Sequence, residues 1–508
     1  MLIGSLRATV LVGSAVVAGY LVLVLATDEL GVGERKDGGA RWPYLLEDSY
    51  DVFNYQKRGR WAASDGRPYV DEFSEYPQIS TWLMGLPWLL VDHGAESGEP
   101  FTSRRAVRDL LERAGAKAAD VQRLFDEIDA TARPEAEGAP TATLETAVQL
   151  IAPRVVEEES EVLRTLRQAW TKTRAREVDL RAVQPSYQGL HYTIAALFYV
   201  ALLALLATNL RRLGHAPAWA LLMLLPGSLY FAFNRFDMAV TVLVALALFF
   251  QIRERPFPAA AVLGLAIMTK WAPLVLVPLF LAHNFARARA GEADARSALR
   301  DAVLKPGLIT AAVIVSVLAT TFVWGGGGWA AVWELPRWHL EERKPNHASL
   351  LSLLTSERAW SLLPSSAAPA LDKVFKVLQL LPGLALAFFP MRSVTRLVLG
   401  CLVATTSMVI FSEFFSPQWV IWITALAILV VPRLRWLLLP VVVLELVMYL
   451  QLPVFHHHAQ ATGEFGGFEV VTTVRAIWML LFLAAAIVAF VRSSNALPTS
   501  AAEPLAQT

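Results

Sequence analysis

The sequence predicts an all-α polytopic membrane protein with about twelve membrane-spanning helices. Two observations predict this: 55% of its 508 residues are hydrophobic while 18% are charged, and its mean hydropathy is +0.45. A soluble protein of this length needs a more polar surface, so the bilayer must solvate much of the chain. The net charge is +1 and the basic residues are spread through short loops, so we expect no nucleic-acid partner.

The candidate spans are apolar runs, since roughly 20 apolar residues cross the bilayer as a helix. They lie near 6–27, 189–210, 216–233, 237–252, 257–269, 272–285, 307–324, 373–390, 394–411, 418–432, 435–452 and 471–491. Two of them are short and meet at Lys270, where we expect a shallow hairpin. The first run is not followed by a small-residue cleavage pattern, so we expect a retained helix.

The basic residues predict the orientation, because Lys and Arg in short loops resist translocation. With the N-terminus in the cytoplasm, every even-numbered helix ends on basic residues, among them Arg211, Arg253 and Arg433. The opposite face carries three long loops. They span 28–188, 325–372 and 453–470. We therefore expect a multi-pass protein of the inner (plasma) membrane with cytoplasmic termini and any active site outside the cytoplasm.

The chain divides into four predicted parts. These are the first span with the first outer loop (1–92), a soluble helical insertion on the outer face (93–186), spans 2–12 (187–492) and a disordered C-terminal tail (493–508). The insertion is highly charged, with apolar residues at helical spacing, which is also typical of a solvated cap without chemistry.

Two places in the chain favour chemistry. The first outer loop carries Asp48 and Asp51 among aromatic residues, which suits a general base at the lipid surface, although a solvated loop with incidental acids fits equally well. Lys270 lies between two apolar segments, which is costly unless the ammonium lines a polar cavity or snorkels to the surface. His456 to His458 are adjacent and diverge in most conformations, so we assign no metal and no cofactor.

Five motifs follow one another in order. They are Asp51-x-x-x-Tyr55 with Gly66-x-Pro68-Tyr69 and Glu75-Tyr76-Pro77; Asn234-Arg235-Phe236-Asp237; Gly264-Leu265-Ala266-x-x-Thr269-Lys270-x-x-Pro273; Arg337-x-His339-Leu340-x-x-Arg343 with Ser349; and Phe415-Ser416-Pro417-Gln418-Trp419-x-x-Trp422. In these motifs the chain resembles the family 87 glycosyltransferases, GT-C enzymes that include polyprenyl-phosphomannose-dependent mannosyltransferases and related arabinofuranosyltransferases. The resemblance runs from about residue 45 to 425 without the 93–186 insertion. Gln78 replaces a proline of the family pattern, and Ala348 stands where relatives often have a glutamate before the serine.

The resemblance implies a GT-C-like bundle that moves a sugar from a polyprenyl-phosphate donor to an envelope glycolipid or glycan acceptor on the outer face, with inversion. It implies Asp51 as the general base, with Asp48 as the second candidate. The substrate-binding residues are then Tyr55, Glu75, Asn234, Arg235, Asp237, Lys270, Arg337, His339, Arg343 and Gln418. The cationic members suit the carrier phosphate, since guanidinium and ammonium groups bind phosphate oxygens by charge-assisted hydrogen bonds.

Two other classes of protein stay open from the sequence. A transporter or flippase for lipid-linked saccharides should show paired halves with broken helices near the midplane, and no such symmetry is evident. A non-catalytic membrane scaffold whose insertion binds a partner is consistent with Ala348 and with the unmatched insertion.

Overall fold

The computed structural model describes most of the chain. The described residues are 5–29, 49–59, 62, 76–90, 161–291, 293–325, 329–337, 339, 345–355 and 362–493. Within these ranges all regular structure is helical and no strand occurs, which confirms the predicted all-α class. Asp48, Glu75 and Arg343, most of the predicted insertion (93–160) and the predicted tail beyond 493 lie outside the described residues.

Four helices form the N-terminal part. They are α1 (Leu6–Glu29), α2 (Ser49–Gly59), α3 (Gln78–Leu90) and α4 (Glu161–Arg212). Helix α3 begins directly after Pro77, the last residue of the motif Glu75-Tyr76-Pro77. The backbone of α4 is continuous from the predicted insertion into the predicted second span, and α1 and α2 both pack against it.

The central part alternates short helices with breaks. It contains a 3-10 helix (Pro217–Leu224), α5 (Pro226–Asn234), α6 (Asp237–Ile252), α7 (Pro256–Thr269), a 3-10 turn (Ala272–Leu276), α8 (Val277–Ala290), α9 (Ala295–Leu299), a π-helical turn (Arg300–Leu304) and α10 (Lys305–Gly325). Prolines at the first or second position start several of these elements, because proline lacks the N–H that a helix start leaves unpaired. Lys270 lies at the break between two predicted spans, in extended backbone.

The C-terminal part carries the interior of the bundle. Its helices are α11 (Trp329–Arg337), α12 (Leu350–Thr355), α13 (Ala368–Ala387), α14 (Val394–Ile410), α15 (Val420–Ile428), α16 (Leu438–Tyr449), α17 (His457–Thr462) and α18 (Gly466–Arg492). A 3-10 turn (Pro417–Trp419) leads into α15, and a π-helical turn (Leu450–His456) follows α16. Every residue of α15 is buried, as expected for a helix that is apolar all round, and it packs against α5, α6, α14 and α16.

Length and composition identify the candidate spans in the described part of the chain. Five helices are long and apolar enough to cross a membrane: Leu6–Leu25, Ser186–Arg212, Ala295–Val323, Arg435–Ala459 and Gly466–Arg492. A sixth span results if the 3-10 helix Pro217–Leu224 and α5, which meet at a bend of 68°, count as one. Large apolar side chains such as Leu11, Leu308 and Val323 are exposed on these spans, which suits contact with lipid. The chain is thus a multi-pass membrane protein, and the number of twelve spans stays a prediction.

Gly383 of α13 determines how closely this helix approaches the turn after Lys270. A Cβ at this position would lie 2.3 Å from the carbonyl oxygen of Val275, whereas a Cβ on Gly19 of α1 would meet no atom within 4 Å. Because Val275 belongs to the 3-10 turn, α13 supports the segment that carries Lys270.

We predict that Gly383→Ala destabilises the protein by about 1–3 kcal/mol, because the added methyl group forces α13 and the turn apart. Chemical denaturation in mild detergent measures this. Gly19→Ala is the matched control, since it brings the same gain in helix propensity without the collision. Equal stability of the two variants would contradict the close approach.

Candidate functional site

A buried ion pair lies at the centre of the candidate site. The ammonium Nζ of Lys270 is 2.7 Å from Oδ1 of Asp237, and the two side chains are 22% and 3% exposed. Asp237 lies in the first turn of α6, where the helix dipole favours a negative charge. Two of the predicted substrate-binding residues, separated by 33 positions in the chain, are therefore in direct contact.

Two tryptophans face the same ammonium. Nζ of Lys270 is 5.6 Å from the ring centroid of Trp419 and 5.0 Å from that of Trp422, within the range of cation–π attraction. The two rings stack with 5.6 Å between centroids and 17° between planes. Both indole N–H groups are buried and have no hydrogen-bond partner among the described residues, so each is a donor that a ligand can use.

The turn before α15 supplies Gln418. Its side chain is buried, and its Oε1 accepts a hydrogen bond from the hydroxyl of Ser416. Because this turn also carries Trp419, the predicted residue Gln418 lies beside the tryptophan pair.

Helix α2 brings the predicted first outer loop to the site. Tyr55 is buried and packs on Phe236, with 4.8 Å between ring centroids, and on His191 of α4 at 5.8 Å. Burial raises the pKa of Tyr55 well above its usual value, and the neighbouring Tyr76 and the Asp237 carboxylate raise it further. Tyr55 is thus a neutral phenol close to the ion pair.

Of the two predicted catalytic residues, Asp48 lies outside the described residues. Asp51 belongs to α2, one helical turn before Tyr55, and only its backbone is described. The helix that carries Asp51 therefore lies next to the ion pair.

Helix α3 is attached to the residue that precedes Lys270. The hydroxyl of Ser80 donates to the carbonyl oxygen of Thr269 at 2.6 Å, and both residues are buried. This bond links segments 189 positions apart and joins α3 to the break after α7.

Asn234 and Arg235 lie at the end of α5. The Asn234 amide is buried and donates to the carbonyl oxygen of Tyr230 at 2.9 Å, within its own helix. Arg235 is half-buried in extended backbone between α5 and α6. Both residues are thus within three positions of Asp237.

The predicted second outer loop, 325–372, reaches the residue next to Lys270. The ring of His339 is 5.1 Å from that of Trp271, and Arg337 is half-buried at the end of α11. These two predicted residues therefore lie on the segment that approaches the lysine.

Asn346 and Arg475 hold this loop in place, and sequence reasoning missed both. Asn346 donates from Nδ2 to the Phe415 carbonyl oxygen at 2.6 Å and accepts from the Phe415 N–H at 3.0 Å. The guanidinium of Arg475 is wholly buried, donates to the Ala348 carbonyl oxygen and to Gln451 at 2.9 Å, and lies 3.5 Å above the Phe415 ring. An arginine inside a predicted span is costly in lipid, and this cost is the sequence signal by which Arg475 could have been found.

An apolar cavity lies next to the ion pair. It has about 460 Å³ of empty space including its mouth. Its wall includes Thr241, one turn along α6 from Asp237, Ala272 and Pro273 just after Lys270, and Trp422. Trp422 thus belongs both to the cavity and to the surroundings of the lysine, so a polar group held at Lys270 can be continuous with an apolar chain in the cavity.

A family model described as mannosyltransferase (PIG-M) matches residues 234–492, just over half of the chain. The match begins at Asn234 and includes Lys270 and both tryptophans, whereas α2 and α3 precede it. No curated protein and no solved structure matches the chain.

We predict that Lys270→Met destabilises the protein by about 1–3 kcal/mol, less than the about 3–5 kcal/mol of a wholly buried pair because Lys270 is partly exposed. The variant leaves the buried Asp237 carboxylate without its cation, so the double variant with Asp237→Asn should recover stability. Chemical denaturation in detergent measures both.

Lys376→Met is the control for this prediction. Lys376 pairs with Asp372 at 2.8 Å but is 40% exposed, so we expect a loss of about 0–1 kcal/mol. If the double variant is as unstable as Lys270→Met alone, the loss of stability does not come from the unpaired Asp237 carboxylate, and the prediction is wrong.

Proposed function

This chain belongs to the mannosyltransferase (PIG-M) family, which is of the GT-C type, and on that basis we propose that it moves mannose from a polyprenyl-phosphate donor to an envelope glycolipid or glycan acceptor. Family membership confirms the predicted class of membrane glycosyltransferase. Placement in family 87, the polyprenyl carrier, inversion and a site on the outer face of the inner membrane are parts of the proposal. The observation that carries it is the Lys270 ammonium, held by Asp237 and facing two stacked tryptophans next to an apolar cavity.

Lys270 is suited to the carrier phosphate. Cleavage of the bond between sugar and phosphate leaves negative charge on the phosphate, and a fixed cation stabilises that charge best in a site that excludes water. Asp237 fixes the ammonium in one direction, and the tryptophan rings enclose it on another side. The free indole N–H groups add donors for phosphate or sugar oxygens.

The apolar cavity is suited to the first part of the carrier chain. Its wall consists almost wholly of aliphatic side chains and Trp422, and burying each CH₂ group there gains about 0.8 kcal/mol. Because the cavity starts next to Lys270, a phosphate bound by this lysine places its attached isoprenoid chain at the cavity.

Asp51 is the proposed general base, with Asp48 as the second candidate. In this reaction an acceptor hydroxyl attacks the anomeric carbon from the side opposite the phosphate. The hydroxyl proton passes to the carboxylate as the bond between the anomeric carbon and the phosphate oxygen breaks, and the anomeric centre is inverted. The support is the contact of Tyr55 with Phe236, which places the helix of Asp51 beside Asp237.

The other predicted residues are assigned by chemistry. Arg235, Arg337, His339 and Arg343 are further candidates for the phosphate, whereas Tyr55, Glu75, Asn234 and Gln418 are candidates for sugar hydroxyls. We propose no metal and no cofactor for this reaction.

A flippase for lipid-linked saccharides is the second candidate function. The 68° bend before α5 favours it, because broken helices near the midplane are typical of transporters. Translocation of a lipid-linked saccharide into liposomes without sugar transfer would support this function and overturn ours.

We predict that Asp51→Asn lowers the transfer of radiolabelled mannose from polyprenyl-phosphate-mannose by about 10²–10⁴-fold, because the amide does not take the hydroxyl proton. Purified protein in lipid and an envelope glycolipid extract serve for the assay. Asp48→Asn is the matched control and should retain far more activity. Equal losses in the two variants, or none in either, would overturn the assignment of Asp51.

We predict that Val244→Phe, which fills part of the cavity, raises KM for a long-chain donor about 10-fold, the effect of losing about two buried CH₂ groups. KM for a donor with a very short prenyl chain should change little. Val315→Phe, which makes the same substitution at an exposed position, is the control. An equal rise of KM for both donors would show that the isoprenoid chain of the donor binds outside this cavity.

A further inference from the structure

Glu445 is a buried carboxyl group within a membrane span. It is 0% exposed and lies on α16, in the middle of the candidate span Arg435–Ala459. A carboxylate in the interior of a membrane protein costs several kcal/mol unless hydrogen bonds compensate its lost hydration. The groups that compensate it therefore indicate what this residue does.

The compensation comes from two other helices. Oε2 of Glu445 accepts from the backbone N–H of Ser228 at 2.6 Å, and Oε1 accepts from the Ser228 hydroxyl at 2.6 Å. The hydroxyl of Thr424 also donates to Oε1. Ser228 belongs to α5 and Thr424 to α15, so one carboxyl group joins three helices.

Glu445 caps the N-terminus of α5 from a distant part of the chain. The residue before this helix, Leu225, provides no side-chain cap, and Pro226 has no N–H. The N–H of Ser228 is one of the first-turn amides that a helix leaves without an internal partner. A negative charge at this end of a helix also interacts favourably with the helix dipole.

Gly227 allows this cap to form. A Cβ at position 227 would lie 2.7 Å from Oε2 of Glu445 and 2.8 Å from its carbonyl oxygen. Any larger residue therefore pushes α5 away from α16, even though the carboxyl group is still present.

Helix α5 leads from this cap to the candidate site. It has nine residues and is about 13 Å long, and a 68° bend separates it from the preceding 3-10 helix. It ends at Asn234, Arg235 follows in extended backbone, and Asp237 begins α6. Because of the bend, α5 does not continue the axis of the preceding helix, and Glu445 provides the hydrogen bonds that hold its N-terminus.

We propose that Glu445 is a positioning residue for sugar transfer: by holding the N-terminus of α5 it sets where Asn234, Arg235 and the Asp237–Lys270 pair meet the donor. The inference rests on the proposed function. It requires the turnover step to depend on Glu445 more than donor binding does, since most cavity residues, among them Leu206 and Val240, lie on helices to which Glu445 makes no hydrogen bond.

The first test is steady-state kinetics of mannose transfer for Glu445→Ala, Glu445→Gln and Gly227→Ala. We expect Glu445→Ala and Gly227→Ala to lower kcat about 10-fold or more with donor KM within about twofold of the wild type, as a misplaced catalytic group does. Glu445→Gln should restore most of kcat, because its amide oxygen still accepts from the Ser228 N–H.

Asn209→Leu is the matched control. Its buried amide donates to the carbonyl oxygen of Ala245 at 3.1 Å, so the variant also loses a buried polar contact between helices without touching α5. We expect its kcat, corrected for the folded fraction, to stay near that of the wild type. A kcat of Glu445→Ala equal to that of Asn209→Leu would overturn the proposal.

Hydrogen–deuterium exchange of the peptide 226–234 provides a second measurement that does not need activity. Exchange should be about 10-fold faster in Glu445→Ala than in the wild type and unchanged in Asn209→Leu, because only the former removes the acceptor of the Ser228 N–H and thereby loosens the first turn of α5. Unchanged exchange in Glu445→Ala would overturn the cap. If the wild type transfers no mannose while this exchange responds as expected, the proposed function fails and the structural cap stands.

Discussion

The ion pair between Asp237 and Lys270 is the interaction on which the rest of the site depends. It joins the start of α6 to the break after α7, and the Lys270 ammonium also faces the tryptophans before and within α15. A lysine between two apolar segments is stable in a membrane protein only if its charge is met. The contacts that stabilise the Lys270 charge therefore bring together three motifs that are far apart in the sequence.

Around this pair, buried polar side chains hold the irregular parts of the chain. Breaks in helices expose backbone groups that lipid cannot hydrogen-bond, so each break needs a partner inside the protein. Glu445 accepts a hydrogen bond from the Ser228 amide at the start of α5. Ser80 donates to the carbonyl oxygen before Lys270, and Arg475 donates to the carbonyl oxygen of Ala348. These residues fix the segments that carry the candidate site, while the long outer spans present apolar side chains to lipid.

The sequence alone was sufficient to predict features whose energetic cost arises within one segment of the chain. The apolar runs predict spans because helices in lipid need uninterrupted apolar length. The helical class is confirmed, and five of the described helices are long and apolar enough to cross a membrane. Lys270 was found from the cost of a charge between apolar runs. Glu445 and Arg475 also lie inside apolar runs and were not predicted, and their partners Ser228 and Ala348 are 217 and 127 positions away in the sequence. A single sequence does not contain such pairings, because they depend on how the helices pack.

The sequence by itself determined that this is a helical membrane protein with a lysine where lipid does not tolerate an unmet charge, and its motifs indicated a sugar-transferring class that family membership bears out. Only the tertiary structure decided that Asp237 meets Lys270, that Trp419 and Trp422 enclose it, and that Tyr55 of α2 lies beside them. The physical reason is that hydropathy acts on each segment separately, whereas hydrogen bonds, ion pairs and ring contacts form between segments and exist only once the bundle is packed.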